Sequence, residues 1–280
     1  MLFPLGQIRR DVFLTDYWRK RPLHVPNAVK HLTWLPDATS LRSTLDVLGQ
    51  LRPDQVRASP SSTFGQNADA ASADLRALSA SLSAELDCPS VWFDVVATLA
   101  AHAGIGCHFD NSDNFTIQIE GRKRWRLHHP SAIPTELRRH SLVRDRDLAD
   151  VEVQMPHTAM EFNLEAGDLL YIPLLWLHEG QSDGQSLSCV ITCNSETPLA
   201  LLPYLHWLLV ERPEWSEPVP FDVLAHAVRE RDSATLDQYF DRLFEALRDP
   251  ELAVAVKKRW LADRFERLYR VGRGESAARS

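Results

Sequence analysis

His108-Phe109-Asp110 is the triplet in this chain with the clearest chemical use. On a strand, residues two apart point to the same side, so the imidazole and the carboxylate could reach one metal ion together. Two histidines and a carboxylate on one face of an octahedron hold Fe(II) and leave the opposite positions open. The triplet therefore asks for a second histidine from elsewhere. Residues 167–173, Gly-Asp-Leu-Leu-Tyr-Ile-Pro, read as a turn, a strand and a proline stop, and His178 follows five positions later. That places a third ligand at the end of a later strand. Lys123 stands 15 residues after His108, just past a turn at Gly121. A lone cation facing into a barrel is costly unless it meets an anion, and a dicarboxylate cosubstrate would be one. Asn114 and Asn194 could add neutral hydrogen-bonding groups near the metal.

The elements that must position these residues read in three sections. In the first, residues 1–87, Thr15-Asp16-Tyr17-Trp18 predicts the start of a short helix behind a polar cap. Residues 21–26 are extended, because each proline pushes its predecessor out of the helical region. Residues 41–51 and 74–86 carry apolar side chains at helical spacing, and the Ser/Ala/Asn/Asp-rich stretch 59–74 reads as a mobile loop. In the second section, residues 91–96, 115–119, 124–127, 169–172 and 187–193 are short β-like runs separated by turn signals. Asn114, Thr116 and Gln118 alternate with Phe115, Ile117 and Ile119. If the apolar face packs on a second sheet, the polar face lines something wet, as in a barrel that holds a ligand.

The third section, residues 198–280, shows no strand signal. A stripe of Leu236, Tyr239, Phe240, Leu243, Phe244 and Leu247 follows a cap at Ser233, and Leu252, Val256, Trp260 and Leu261 continue it after Pro250. From Glu251 onward eight Lys/Arg stand against four Asp/Glu. The expected architecture is mainly β with α: a ligand-holding β-barrel core with N-terminal helices over residues 1–197, then a helical region over 198–280. That helical region reads as a dimerisation element or a wall of the substrate cleft.

With 44% hydrophobic and 25% charged residues, the composition is that of an ordinary globular protein. A net charge of -7 argues against a generally cationic nucleic-acid binder. The longest apolar run, residues 169–177, is half of what a membrane span needs, and residues 1–10 lack the pattern of a signal peptide. Cys88, Cys107, Cys189 and Cys193 have neither zinc-site spacing nor the number for a disulfide framework. The expectation is a soluble, reduced, cytoplasmic protein.

The blocks 106–110, 114–115 and 118–125, then 167–178, resemble the JmjC-type, cupin-fold Fe(II)/2-oxoglutarate oxygenases. The likeness is closest to the protein hydroxylases related to factor inhibiting HIF and to the ribosomal oxygenases. Asp16-Tyr17-Trp18 with Arg21-Pro22-Leu23 resembles the lead-in of the same group, so the resemblance covers about residues 13–197. It implies a double-stranded β-helix (jelly-roll or cupin) core with a C-terminal helical region, and His108, Asp110 and His178 as catalytic iron ligands, with 2-oxoglutarate and dioxygen as cosubstrates. It implies Lys123 as the partner of the distal carboxylate of 2-oxoglutarate, and Asn114 and Asn194 at its metal-chelating end. Bacterial ribosomal oxygenases typically carry arginine at the Lys123 position. Ile105 stands where the asparaginyl hydroxylase has a hydroxyl, which leaves Thr116 as the candidate second donor.

The implied reaction is hydroxylation of a side chain in a protein or peptide substrate, with release of succinate and carbon dioxide. N-demethylation would use the same site. Three rivals share parts of the pattern: a small-molecule hydroxylase, a non-catalytic binding or assembly protein with a relic barrel, and a metal cupin isomerase or dioxygenase that uses no 2-oxoglutarate. The last usually shows HxH and a glutamate instead of HxD with a lysine. Other polar residues take plainer readings. Cys107 is a small apolar strand residue, Cys189 and Cys193 lie too far apart for a disulfide, and His128-His129 is a solvated pair. Trp125 and Trp176 pack, Asp168 is a turn residue, and Arg138, Arg139, Arg144 and Arg146 belong to a charged loop.

Overall fold

The computed structural model describes residues 8–86, 90–135, 153–194, 201–212, 220–231 and 233–272, together with Leu5, Cys88 and Leu137. Contacts divide the chain into two units, residues 1–195 with 270–280 and residues 196–269.

Among the described residues, the first unit has ten strands. β1 (Leu23–Val25), β2 (Val56–Ala58), β3 (Ser62–Gly65), β4 (Val91–Thr98), β5 (Ser112–Glu120), β8 (Leu169–Ile172) and β10 (Ser186–Asn194) form one sheet in the order β1-β8-β5-β10-β4-β3-β2. β6 (Lys123–His128), β7 (Met160–Leu164) and β9 (Leu177–Ser182) form a second, in the order β7-β6-β9. The strand pairs are antiparallel, as a double-stranded β-helix requires. The expected architecture is therefore present.

Three helices, α1 (Arg10–Asp16), α2 (Ala38–Leu51) and α3 (Ala73–Leu86), cover the outer face of the larger sheet. Leu41, Leu45 and Leu48 make the buried stripe of α2, and Asp37 caps it by accepting from the Ser40 N–H. These leucines, with Phe13, Leu75 and Leu82, pack on Phe93, Val95, Phe115, Ile117, Tyr171 and Ile191. The apolar face of β5 thus meets helices, not a second sheet as expected. The second sheet faces its polar side, where Trp125, Leu164, Leu170, Ile172 and Trp176 form a smaller core between the sheets. The physical outcome is the one the alternation asked for: Asn114 and Thr116 line an open cavity.

Two further expectations are corrected. Thr15 and Asp16 end α1 instead of starting a helix, because Phe13 supplies the buried anchor one turn earlier. Residues 59–74 are not a loop: β3 and a 3-10 turn (Ala68–Ala71) lie inside them. Ser59 closes the hairpin by accepting from the Ser61 and Ser62 N–H groups, and β3 then pairs with β4. Gly65 fits because a Cβ there would sit 2.4 Å from Leu45 Cδ1.

The second unit contains α4 (Leu202–Val210), α5 (Phe221–Glu230), α6 (Asp237–Arg248) and α7 (Pro250–Gly272). Leu209, Leu252 and Val256 form its small core, with Tyr204, Leu205 and Leu243 against them. Ser233 opens a 3-10 turn and does not cap α6, whose first residue is Asp237. Pro250 begins α7, as the missing N–H of proline favours. Large apolar side chains stay exposed here, Phe221 at 85% and Val228 at 79%. Among the described residues no helix is long and apolar enough to cross a membrane.

Candidate metal centre

The loop after β4 delivers His108 beside β9. His108 and His178 exchange backbone hydrogen bonds in both directions, at 3.0 and 2.8 Å, as an isolated antiparallel bridge. Directly opposed residues put their side chains on the same side, and the two imidazole centroids lie 4.2 Å apart. Asp110 Oδ2 lies 3.4 Å from His178 Nε2. One ligand atom from each of His108, Asp110 and His178 falls within 4.8 Å of the others. The three ligands expected from the sequence are thus brought together.

Their orientations suit a metal. His108 Nδ1 lies 2.9 Å from the Gly106 carbonyl, and His178 Nδ1 lies 2.8 Å from the Trp176 carbonyl. A carbonyl only accepts, so each Nδ1 carries the proton and each Nε2 keeps its lone pair. Burial, then the neighbouring His178, pushes the His108 pKa down and favours the neutral ligand form. Burial alone would raise the Asp110 pKa. The adjoining His178 ring, the His108 ring and the Asn114 amide outweigh it and hold the carboxyl well below the usual range. Asn114 Nδ2 donates to Asp110 Oδ2 at 2.7 Å, and Ser112 Oγ donates to Asn114 Oδ1 at 3.0 Å. Two imidazoles, each with Nδ1 on a backbone carbonyl, beside an ionised carboxylate make a donor set that a divalent cation fits.

The cluster opens on a cavity of about 400 Å³. Lys123, Thr116 and Ser188 are buried lining residues and form its floor. Burial pushes the Lys123 ammonium down to about 8, and none of the ion pairs among the described residues includes it. Its Nζ lies 5.2 Å from the Trp125 ring centroid. Gly180 makes room for both, since a Cβ there would meet Lys123 Cε and Trp125 Cη2 at 3.0 Å. Exposed Arg57 and Gln66, with half-buried Phe64 from the β2–β3 hairpin, line the rim, as does exposed Ile105.

Asn194 ends β10 opposite Ser112 but is not among the residues lining this cavity. Thr192, one step earlier on the same face, is. The sequence reading missed Asp94, a buried lining residue. Asp94 accepts from Thr192 Oγ1 at 2.8 Å, Trp92 Nε1 at 3.2 Å and Asn67 N at 2.9 Å, and burial pushes it up to about 7. Its only trace in the sequence is a single acid in the apolar run 91–96.

The plainer readings mostly find ordinary places. Cys107 packs with Leu177 and Ile133, and burial raises its thiol to about 11. The four cysteines are free. Asp168 accepts from Asn27 N, Glu165 N and His24, pinning β1 at a turn. His129 is exposed and meets the Trp176 ring edge-on at 5.5 Å. Arg138, Arg139, Arg144 and Arg146 lie outside the described residues.

Two antiparallel sheets closing around a two-histidine, one-carboxylate cluster define the cupin class of double-stranded β-helix proteins. Residues 77–200 match the family model described as JmjC domain. Among curated relatives, Ribosomal oxygenase 1 of Danio rerio is 33% identical over 141 residues, covering 48% of this chain and 25% of the relative. The bifunctional lysine-specific demethylase and histidyl-hydroxylase NO66 of Drosophila persimilis is 30% identical over 220 residues, covering 65% and 29%. The chain thus spans between a quarter and a third of these relatives' length. The structure of YcfD, a ribosomal oxygenase from Escherichia coli in complex with cobalt and 2-oxoglutarate, superposes with a TM-score of 0.54 at 16% identity. That match covers 89% of this chain and 69% of that one, and shows the shared fold.

Proposed function

We propose that this chain is an Fe(II)- and 2-oxoglutarate-dependent oxygenase that hydroxylates a side chain of a protein or peptide. The observation that carries the reading is the meeting of His108, Asp110 and His178 in one cavity with buried Lys123, which pairs with no acid among the described residues. His108, Asp110 and His178 would hold the metal on one face. Lys123 would hold the distal carboxylate of 2-oxoglutarate, with the Thr116 hydroxyl as second donor. When bound, iron with 2-oxoglutarate and dioxygen supplies the oxidising chemistry, giving succinate, carbon dioxide and one oxygen atom for the substrate.

The remaining residues position and exclude. Asn114 fixes the Asp110 carboxylate, the two backbone carbonyls fix the imidazoles, and Ile172 and Trp125 keep the floor dry. Asn194 belongs to the reading through the family resemblance alone. The relatives named ribosomal oxygenase and histidyl-hydroxylase support a protein substrate, and ribosomal proteins are the first to try. A cytoplasmic location and a homodimer through the C-terminal helices are part of the same reading. The test is a screen of ribosomal proteins and peptides by intact mass. A one-oxygen gain that requires both Fe(II) and 2-oxoglutarate is expected. Succinate release with no modified protein would redirect the reading to a small molecule.

A further inference from the structure

Behind the ligand cluster, on the helix-packed face of β5, lies a carboxylate with no exposure at all, that of Asp113. Strand alternation sends Ser112 and Asn114 into the cavity and Asp113 with Phe115 to the back. Asp113 Oδ1 accepts from Tyr171 Oη at 2.6 Å and from the Leu174 N–H at 3.1 Å, and Oδ2 accepts from Arg19 Nε at 3.2 Å. The Arg19 N–H donates in turn to Tyr171 Oη at 2.9 Å, and Trp18 stacks on Tyr171 at 5.7 Å. An apolar pair of similar size would serve stability as well as a buried ion pair does. The acid must therefore be explained by what it grips.

It grips a turn. Leu174 is followed by Leu175, a leucine held at φ +62, whose N–H donates to the Asp110 carbonyl at 2.9 Å. Trp176 follows, and its carbonyl accepts a hydrogen bond from His178 Nδ1. A left-handed leucine persists only where its surroundings over-determine it. The turn held from behind by Asp113 thus carries the backbone contacts that orient two of the three ligands.

We propose that Asp113, with Tyr171 and Arg19, is a positioning residue of the metal centre: it locks the 173–176 turn in the conformation that presents Asp110 and His178 to one ion. This rests on the metal reading above. It makes the N-terminal segment around Arg19 part of the site, although no atom of that segment reaches the cavity lining.

The test is Co(II) affinity and the visible d–d spectrum of the full chain, read well below the melting temperature. Asp113→Ala should weaken Co(II) on the order of 10–100-fold and shift the bands, as loss of an outer partner does at other sites. Arg19→Ala should weaken it less, and Arg19→Lys should recover part of the loss. Leu82→Ala, a truncation in the same core, should lower stability and leave affinity and spectrum unchanged. Wild-type affinity in Asp113→Ala, or equal weakening in Leu82→Ala, overturns the proposal. If Asp113→Ala does not fold, Tyr171→Phe removes only the hydroxyl, and unchanged affinity there overturns it as well. A wild-type protein that binds no Co(II), or a His108→Ala variant that binds it equally well, overturns the metal reading and this proposal with it.

Discussion

Asp110 Oδ2 and His178 Nε2 stand 3.4 Å apart, with the Asn114 amide holding the same oxygen at 2.7 Å. The carboxylate is fixed from one side by an amide and faces imidazole nitrogens on the other, with a shared corner for a cation. Replacing His108, Asp110 or His178 by alanine should abolish metal binding and succinate release. The circular dichroism spectrum should change little, because none of the three anchors the core. Full turnover in any of these variants would remove the site assignment.

Lys123→Ala should weaken 2-oxoglutarate binding by about 30-fold or more, since truncating one partner of a buried charge pair costs about 2–5 kcal/mol. Metal affinity should change much less. Lys123→Arg should keep part of the function, because a guanidinium can bridge the same carboxylate if its longer fork fits. The apparent 2-oxoglutarate affinity of the three proteins at saturating metal decides it.

The pH dependence follows from the same residue. Burial lowers Lys123 from 10.5 to about 8, so its ammonium is complete only below about pH 8. Cosubstrate affinity should fall as pH rises through that value, and Lys123→Arg should abolish the falling limb. Stability moves the other way. Between about pH 8 and 10.5 the unfolded chain holds more protons, so the ligand-free protein gains stability as pH rises across that window. Lys123→Met should stabilise the ligand-free protein at pH 7 by up to about 3 kcal/mol while destroying 2-oxoglutarate binding. Chemical denaturation at pH 7 and pH 10 would show whether it does.

Gly104→Ala should be costly out of proportion to its size. A Cβ there would lie 2.0 Å from the Gly180 carbonyl oxygen. The loop carrying His108 is stitched to β9 by His102 N to Ser182 O at 2.7 Å and Ser182 N to Ala103 O at 3.1 Å. Backbone must shift, at about 1–3 kcal/mol, and His108 shifts with it. A thermal melt paired with a Co(II) titration would read both effects; an unchanged affinity would mean the loop absorbs the methyl.

The ligands were legible because their signal is local: an HxD triplet, a proline-stopped strand and a histidine each lie within a few residues. The β-rich core was legible where β-branched residues cluster. β9 was not, because Leu177-His178-Glu179-Gly180-Gln181-Ser182 has no strand-forming character of its own and is extended by pairing with β6. The β2–β3 hairpin hid behind serines for the same reason. Asp94 was invisible because an acid inside a strand gains meaning only when Thr192 and Asn67 arrive beside it. Asn194 shows the opposite failure: its face of β10 was readable, but not where the cavity ends.

Most of the rim belongs to the β2–β3 hairpin, with Ile105 beside it, while the ligands and Lys123 come from β6, β9 and the loop before β5. Aperture and reactivity are therefore encoded in separate stretches of chain. Residues added or removed at the Ser59–Ser62 turn would widen or narrow the entrance without moving a ligand. The hairpin is in this sense a separable module, and the natural segment to graft when changing what the cavity admits.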